Sequence, residues 1–172
     1  MNRLNRIVSI PFAAVFLGMT MPWGGAIAQQ GSLNEQVAGA WAYVSVDTVR
    51  PNGNRAPMYG PNPQGLVIFD GNGHYALINA RADLPRLASN NRMEGTPEEY
   101  KAITQGSIAH FGQYTINEAD KTITFKIQTS TFPNWDGAVQ KRPFTLKGDE
   151  LRWTTPAASG GGSGEIVLRR AK

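Results

Sequence analysis

The sequence predicts an all-β protein: an eight-stranded antiparallel up-and-down barrel with one short inserted helix. Three observations predict it. Extended runs, several with a period of two, recur from residue 39 to residue 170. Gly-, Asn- and Pro-rich turns separate them, mostly at hairpin length. One stretch alone carries both a capping box and helical spacing. Many hairpin-linked strands leave two exposed edges unless the sheet closes on itself, and closure is what a barrel achieves.

The first 28 residues are set apart from this pattern. Arg3 and Arg6 precede an apolar stretch, Ile7 to Met21, and Ala26-Ile27-Ala28 follows as a small-x-small cleavage site. That is the layout of a secretory signal peptide. Pro11, Pro22 and Gly24-Gly25 interrupt the apolar run, which is shorter than the ~20 residues of a membrane span. The expectation is an exported protein, periplasmic or secreted, beginning at Gln29 and without a stable membrane anchor after cleavage. With no cysteine in the chain, a lipid-modified N-terminus of the bacterial lipoprotein type, disulfides, thiol catalysis and Cys-ligated metals are all excluded.

The barrel domain is read over residues 37–170. Gly39 to Arg50 is a long first strand, and the Pro-, Asn- and Gly-rich stretch 51–63 is a loop. Gly65 to Phe69 and His74 to Ala80 form a hairpin across Asp70-Gly71-Asn72-Gly73, residues that tolerate the backbone of a tight turn. Residues 81–95 have no period and read as a surface loop, either a lid over one barrel end or a simple connector. Thr96-Pro97-Glu98-Glu99 starts a helix: Thr96 caps, Pro97 suits the first helical position, and Glu99 completes the capping box. Tyr100, Ile103, Ser107, Ile108 and Phe111 share a face, so the helix is expected to end near Gly112. Strands follow at Gln113 to Asn117, Thr122 to Thr131, Val139 to Leu146, Leu151 to Thr155 and Glu165 to Arg170. The Gly160-Gly161-Gly162-Ser163-Gly164 tract leads into a strand rather than a helix, which excludes a phosphate loop.

Several short pieces occur in a telling order. They are Gly39-Ala40-Trp41, Tyr59-Gly60-Pro61-Asn62-Pro63, the Asp70–His74 hairpin and Gly95-Thr96-Pro97-Glu98-Glu99-Tyr100. Ala109-His110-Phe111-Gly112, Phe132-Pro133-Asn134-Trp135 and Lys141-Arg142 before Phe144 follow. The series resembles the bacterial lipocalin-like domain family of calycin-type barrels. The resemblance implies an antiparallel barrel with a central cavity; it implies no reaction. It also implies that Trp41 packs at the closed end under a basic side chain of the last strand, Arg169 or Arg170.

Strand parity then proposes an interior. If Trp41 points inward, so do Tyr43, Ser45 and Asp47, followed by Tyr75 and Leu77, Tyr114 and Ile116, Ile123, Phe125 and Ile127. Arg142, Phe144 and Leu146, then Leu151 and Trp153, complete the set. The cavity candidates for ligand binding are Tyr43, Asp47, Tyr75, Tyr114, Phe125, Arg142, Phe144 and Trp153. Asp47 and Arg142 either pair with each other or leave Arg142 free to receive a ligand carboxylate through its planar fork. Trp135 sits in a loop as either a gate or a plug.

The histidines, His74 and His110, are too few for a metal centre in a chain without cysteine. No cofactor is implied. Without Arg3 and Arg6 the charge falls to 15 basic against 13 acidic residues, with no basic stripe, so nucleic acid is not expected as a partner. The leading expectation is a small apolar or amphipathic ligand held in the barrel. Two readings stand beside it: a small-barrel enzyme of isomerase or cyclase type using Asp47, Tyr43 or Tyr114 for proton transfer, and a filled barrel serving as an envelope interaction module.

Overall fold

Gly39–Val49 forms β1, the strand on which the sheet closes. The structure, a computed structural model, describes residues 31–172; the expected signal peptide lies outside them. Arg55–Pro57 is β2, Gln64–Phe69 β3 and His74–Ala80 β4. Ser107–Asn117 is β5, Thr122–Ser130 β6, Val139–Lys147 β7, Glu150–Thr155 β8 and Ser163–Arg170 β9. Strands β3 to β9 pair with their sequence neighbours, all antiparallel. β1 pairs with β3 through Gly39–Ala42 on one side and with β9 on the other. The result is a closed eight-stranded barrel, with β2 added outside it against Asp47–Val49.

The Asp70–Gly73 turn explains the β3–β4 hairpin. One Asp70 carboxylate oxygen accepts from the backbone N–H of Asn72 and of His74 at 2.9 and 2.7 Å, and Gly73 takes φ +87°. These backbone hydrogen bonds, chiefly that of His74, hold the Asp70 carboxyl below the usual carboxylate range. Helix α2 spans Pro97–Gly106, with both halves of the Thr96–Glu99 capping box in place.

The expected helix end near Gly112 is a correction. Residues 107–112 are the first half of β5. Ile108, His110, Gly112 and Tyr114 alternate inward at period two, and the helical spacing of Ile108 and Phe111 was coincidental. Gly112 admits no side chain: a Cβ there would lie 2.1 Å from the Lys126 carbonyl oxygen. The close approach coincides with a bulge in the β5–β6 ladder, where the partner of Phe111 is Thr129 and that of Gly112 is Ile127.

One end of the barrel is shut by a short helix, α1 (Leu33–Val37), with its own Ser32–Glu35 capping box. Trp41 is fully buried there and donates its indole N–H to the Val37 carbonyl at 2.8 Å. Arg170 is the covering cation, its guanidinium 4.2 Å from the Trp41 ring centroid. The same guanidinium donates to the carbonyls of Ala38 (3.1 Å) and Gln36 (2.5 Å). Arg170 thus ties two backbone carbonyls and the Trp41 ring together at the base of the barrel. Above it Val67, Phe69, Ile123, Phe125, Leu151 and Leu168 fill the interior. Among the described residues no helix is long and apolar enough to cross a membrane.

Candidate functional site

The opposite end is not filled. A pocket of about 50 Å³ enters the barrel there, walled by Tyr43 and Val46 of β1, Leu77 and Asn79 of β4, Ile108 and His110 of β5, Arg142 of β7 and Trp153 of β8. Outside it lies a vestibule of about 400 Å³, bordered by Thr104 and Gln105 of α2 and by Thr131 and Phe132. Met58, Tyr59, Ile108 and Ser159 line both spaces and form the neck between them. No residue of the 82–95 loop lines either space. The loop is instead held to α2, through the Ala88 N–H to Glu99 (2.9 Å) and the Gly95 N–H to the Tyr100 hydroxyl (2.6 Å).

The sequence-derived candidates divide into four groups. Tyr43, Arg142 and Trp153 line the pocket. Tyr75 and Phe125 stand directly behind it, their rings 4.7 Å apart. Tyr114 and Phe144 are buried in the barrel but away from the pocket, and the Tyr114 hydroxyl donates to the Asp70 carbonyl at 2.8 Å. Asp47 is a correction. The β1–β9 register skips between Tyr43 and Ser45, so Val44 is an extra residue and parity inverts beyond it. Val46 takes the inner position, while Ser45 and Asp47 turn outward. Asp47 lies opposite Glu165, whose carboxylate pairs with Arg55 at 2.6 Å on the outside. The Asp47–Arg142 pair does not form.

Among the described residues Arg142 is consequently a cation without a carboxylate. It is 3% exposed. It donates to the Gln140 side-chain oxygen at 2.7 Å and stacks on Phe125 and Trp153, 4.4 and 5.8 Å from their centroids. Its Nε–H has no hydrogen-bond partner. Burial lowers its pKa to about 10, so at neutral pH it remains charged. The Trp153 indole N–H and the Asn79 side-chain oxygen, both buried, are also without partners. Native interiors rarely leave such groups unmet. Here three of them belong to residues lining one pocket.

His110 was not among the candidates, because the misplaced helix end hid its strand parity. It is 4% exposed, joined to the Tyr75 hydroxyl by a 2.8 Å hydrogen bond, and meets Trp135 edge to face at 5.7 Å. Burial drives its pKa down to about 3, and the Arg142 charge acts in the same direction. Burial also raises the phenols of Tyr43 and Tyr75, against the pull of Arg142. At neutral pH the imidazole and both phenols are therefore uncharged, and among the described residues Arg142 is the single charge lining the pocket. Trp135, in the 3-10 turn Pro133–Trp135, folds back as part of the wall. Of the three proton-transfer candidates, only Tyr43 faces the pocket. Among the described residues no cluster of three or more His, Asp or Glu could hold a metal.

A family model described as lipocalin-like domain matches residues 38–171. The chain belongs to the lipocalin-like domain family. The 4'-hydroxy-3'-methoxypropiophenone carrier protein of Aspergillus oryzae (strain ATCC 42149 / RIB 40) is 27% identical to this chain over 81 residues. These span 44% of this chain and 73% of that protein. A lipocalin-like protein from Bacteroides uniformis ATCC 8492 superposes with a TM-score of 0.44 at 15% identity, covering 78% of this chain and 97% of that one. An uncharacterized protein from Bacteroides eggerthii DSM 20697 does so with a TM-score of 0.40 at 11% identity, over 78% and 98%.

Proposed function

We propose that this protein binds a small, largely apolar molecule at the open end of its barrel, as an exported binding protein rather than an enzyme. The observation that carries this reading is the pocket itself. It has aromatic and aliphatic walls, a few convergent polar groups, and a vestibule wide enough to admit an organic molecule. The name of the Aspergillus relative, a carrier protein, supports the same reading. The enzyme reading is weaker, because Asp47 lies outside and Tyr114 is engaged elsewhere. Export rests on the leader sequence.

N-Phenyl-1-naphthylamine, an uncharged dye that brightens on leaving water, tests the pocket. It is expected to bind the folded protein. Met58→Trp, which plugs the neck, is expected to weaken that binding at least tenfold while circular dichroism stays unchanged. Dye binding that ignores the plug would place the site elsewhere. No binding by the folded protein would return the barrel to the filled type.

A further inference from the structure

We infer that the pocket selects an organic monoanion: a small carboxylate-type head seated at Arg142, with an apolar body running out through the neck to the vestibule. This rests on the binding reading above and names the ligand class.

Three features lead there. The first is charge. Among the described residues Arg142 is buried without any acidic partner, and none that lines the pocket is Asp or Glu. An isolated buried charge is costly unless something compensates it. Stacking on Phe125 and Trp153 compensates in part, but it leaves the guanidinium edge unanswered, with Nε–H unpaired. The second is hydrogen-bond polarity. Two of the three unmet groups, Arg142 Nε–H and Trp153 Nε1–H, are donors. A carboxylate is an acceptor only, and a guanidinium fork matches its two oxygens. The remaining orphan, the Asn79 oxygen, is an acceptor and would take a hydroxyl carried on the same ligand.

The third is shape. The inner space of about 50 Å³ holds only a few heavy atoms, since one water alone needs ~10–15 Å³ on the same scale. A head group fits there and a whole drug-sized molecule does not. The body must therefore pass Met58, Tyr59, Ile108 and Ser159 to reach the larger vestibule. The charge count limits the head to one negative charge. The groups facing Arg142 are Tyr43 from β1, Tyr75 from β4 and His110 from β5, all neutral at pH 7 for the reasons given. A dianion would bring one charge more than the single cation present.

trans-Cinnamate and its uncharged twin, trans-cinnamamide, separate the possibilities at pH 7, each measured by displacement of N-phenyl-1-naphthylamine. The acid should bind at least tenfold more tightly than the amide. Arg142→Gln should abolish the preference, and Arg142→Lys, which keeps a charge but not the fork, should retain part of it. Equal binding of acid and amide overturns the anion inference and leaves the binding reading intact. So does failure of both compounds to displace a dye that binds. A preference that survives in Arg142→Gln assigns the anion to another cation and equally overturns it. Absence of dye binding removes both readings together. The comparison of acid with amide needs only the unaltered protein, so it decides even if the Arg142 variants do not fold.

Discussion

An imidazole in water takes up a proton near pH 6.5. His110 does so only at about 3, because the barrel wall desolvates it and Arg142 repels the added charge. The consequence for stability has a definite sign. Between pH 6.5 and 3 the unfolded chain binds a proton at this position that the folded chain does not, so stability is complete above 6.5 and falls as pH drops through that window. From pH 7 to pH 5 the loss from this one group should be about 2 kcal/mol, at ~1.4 kcal/mol per pH unit. Urea unfolding at the two pH values measures it. His110→Gln leaves Tyr75 a hydrogen-bond partner and should flatten the dependence. An unchanged slope in that variant would mean that His110 is in contact with water. Asp47 is the contrasting residue. It is as polar as anything in β1, yet one bulge three residues before it places it beside Glu165 on the outer surface. Its side was not legible, since a bulge leaves no mark in the alternation of a strand apolar on both parities.

At the scale of elements, the joint between α1, the start of β1 and the end of β9 anchors the barrel base. Trp41 donates to the Val37 carbonyl and Arg170 to those of Ala38 and Gln36, while the guanidinium covers the buried indole, the largest side chain of β1. Trp41→Ala should therefore cost roughly 3–5 kcal/mol in denaturant melts, as large aromatic truncations in a core do. Arg170→Met should cost less, because its methylenes still cover the indole while the cation–π contact, ~0.5–2 kcal/mol, and the two carbonyl hydrogen bonds are lost. A loss below about 1 kcal/mol for Trp41→Ala would put the indole outside the core. This joint was legible from Gly39-Ala40-Trp41 and the terminal arginines through the family resemblance, though α1 itself was not. Five residues are too few to show a period, and beyond the Ser32–Glu35 capping box it is tertiary contacts that hold them helical. The β3–β4 hairpin and the α2 start were legible because Asp, Gly, Thr, Pro and Glu act there through local backbone bonds. The α2 end was not: apolar residues at 100, 103, 108 and 111 fit a helix as well as they fit a helix followed by a strand.

For the whole molecule, export is the property still carried by sequence alone. The Arg3–Arg6 region, the apolar stretch and Ala26-Ile27-Ala28 lead to the expectation that expressed protein recovered outside the cytoplasm starts at Gln29. Intact mass measurement reads this directly, and recovery there of chain retaining residues 1–28 would refute it. The sequence by itself determined the fold class, the number of barrel strands, the principal turns and the Trp41 closure. Each of these depends on local backbone chemistry, on period-two burial or on an ordered series of family motifs. Only the tertiary structure decided the contents of the mouth. Whether Arg142 has a counter-ion depends on a bulge in a strand far from it in sequence, and whether His110 is dry depends on where a helix gives way to a strand. Both are settled by register between strands. A shift of one residue exchanges the inside of a barrel for its outside while leaving local propensity almost unchanged.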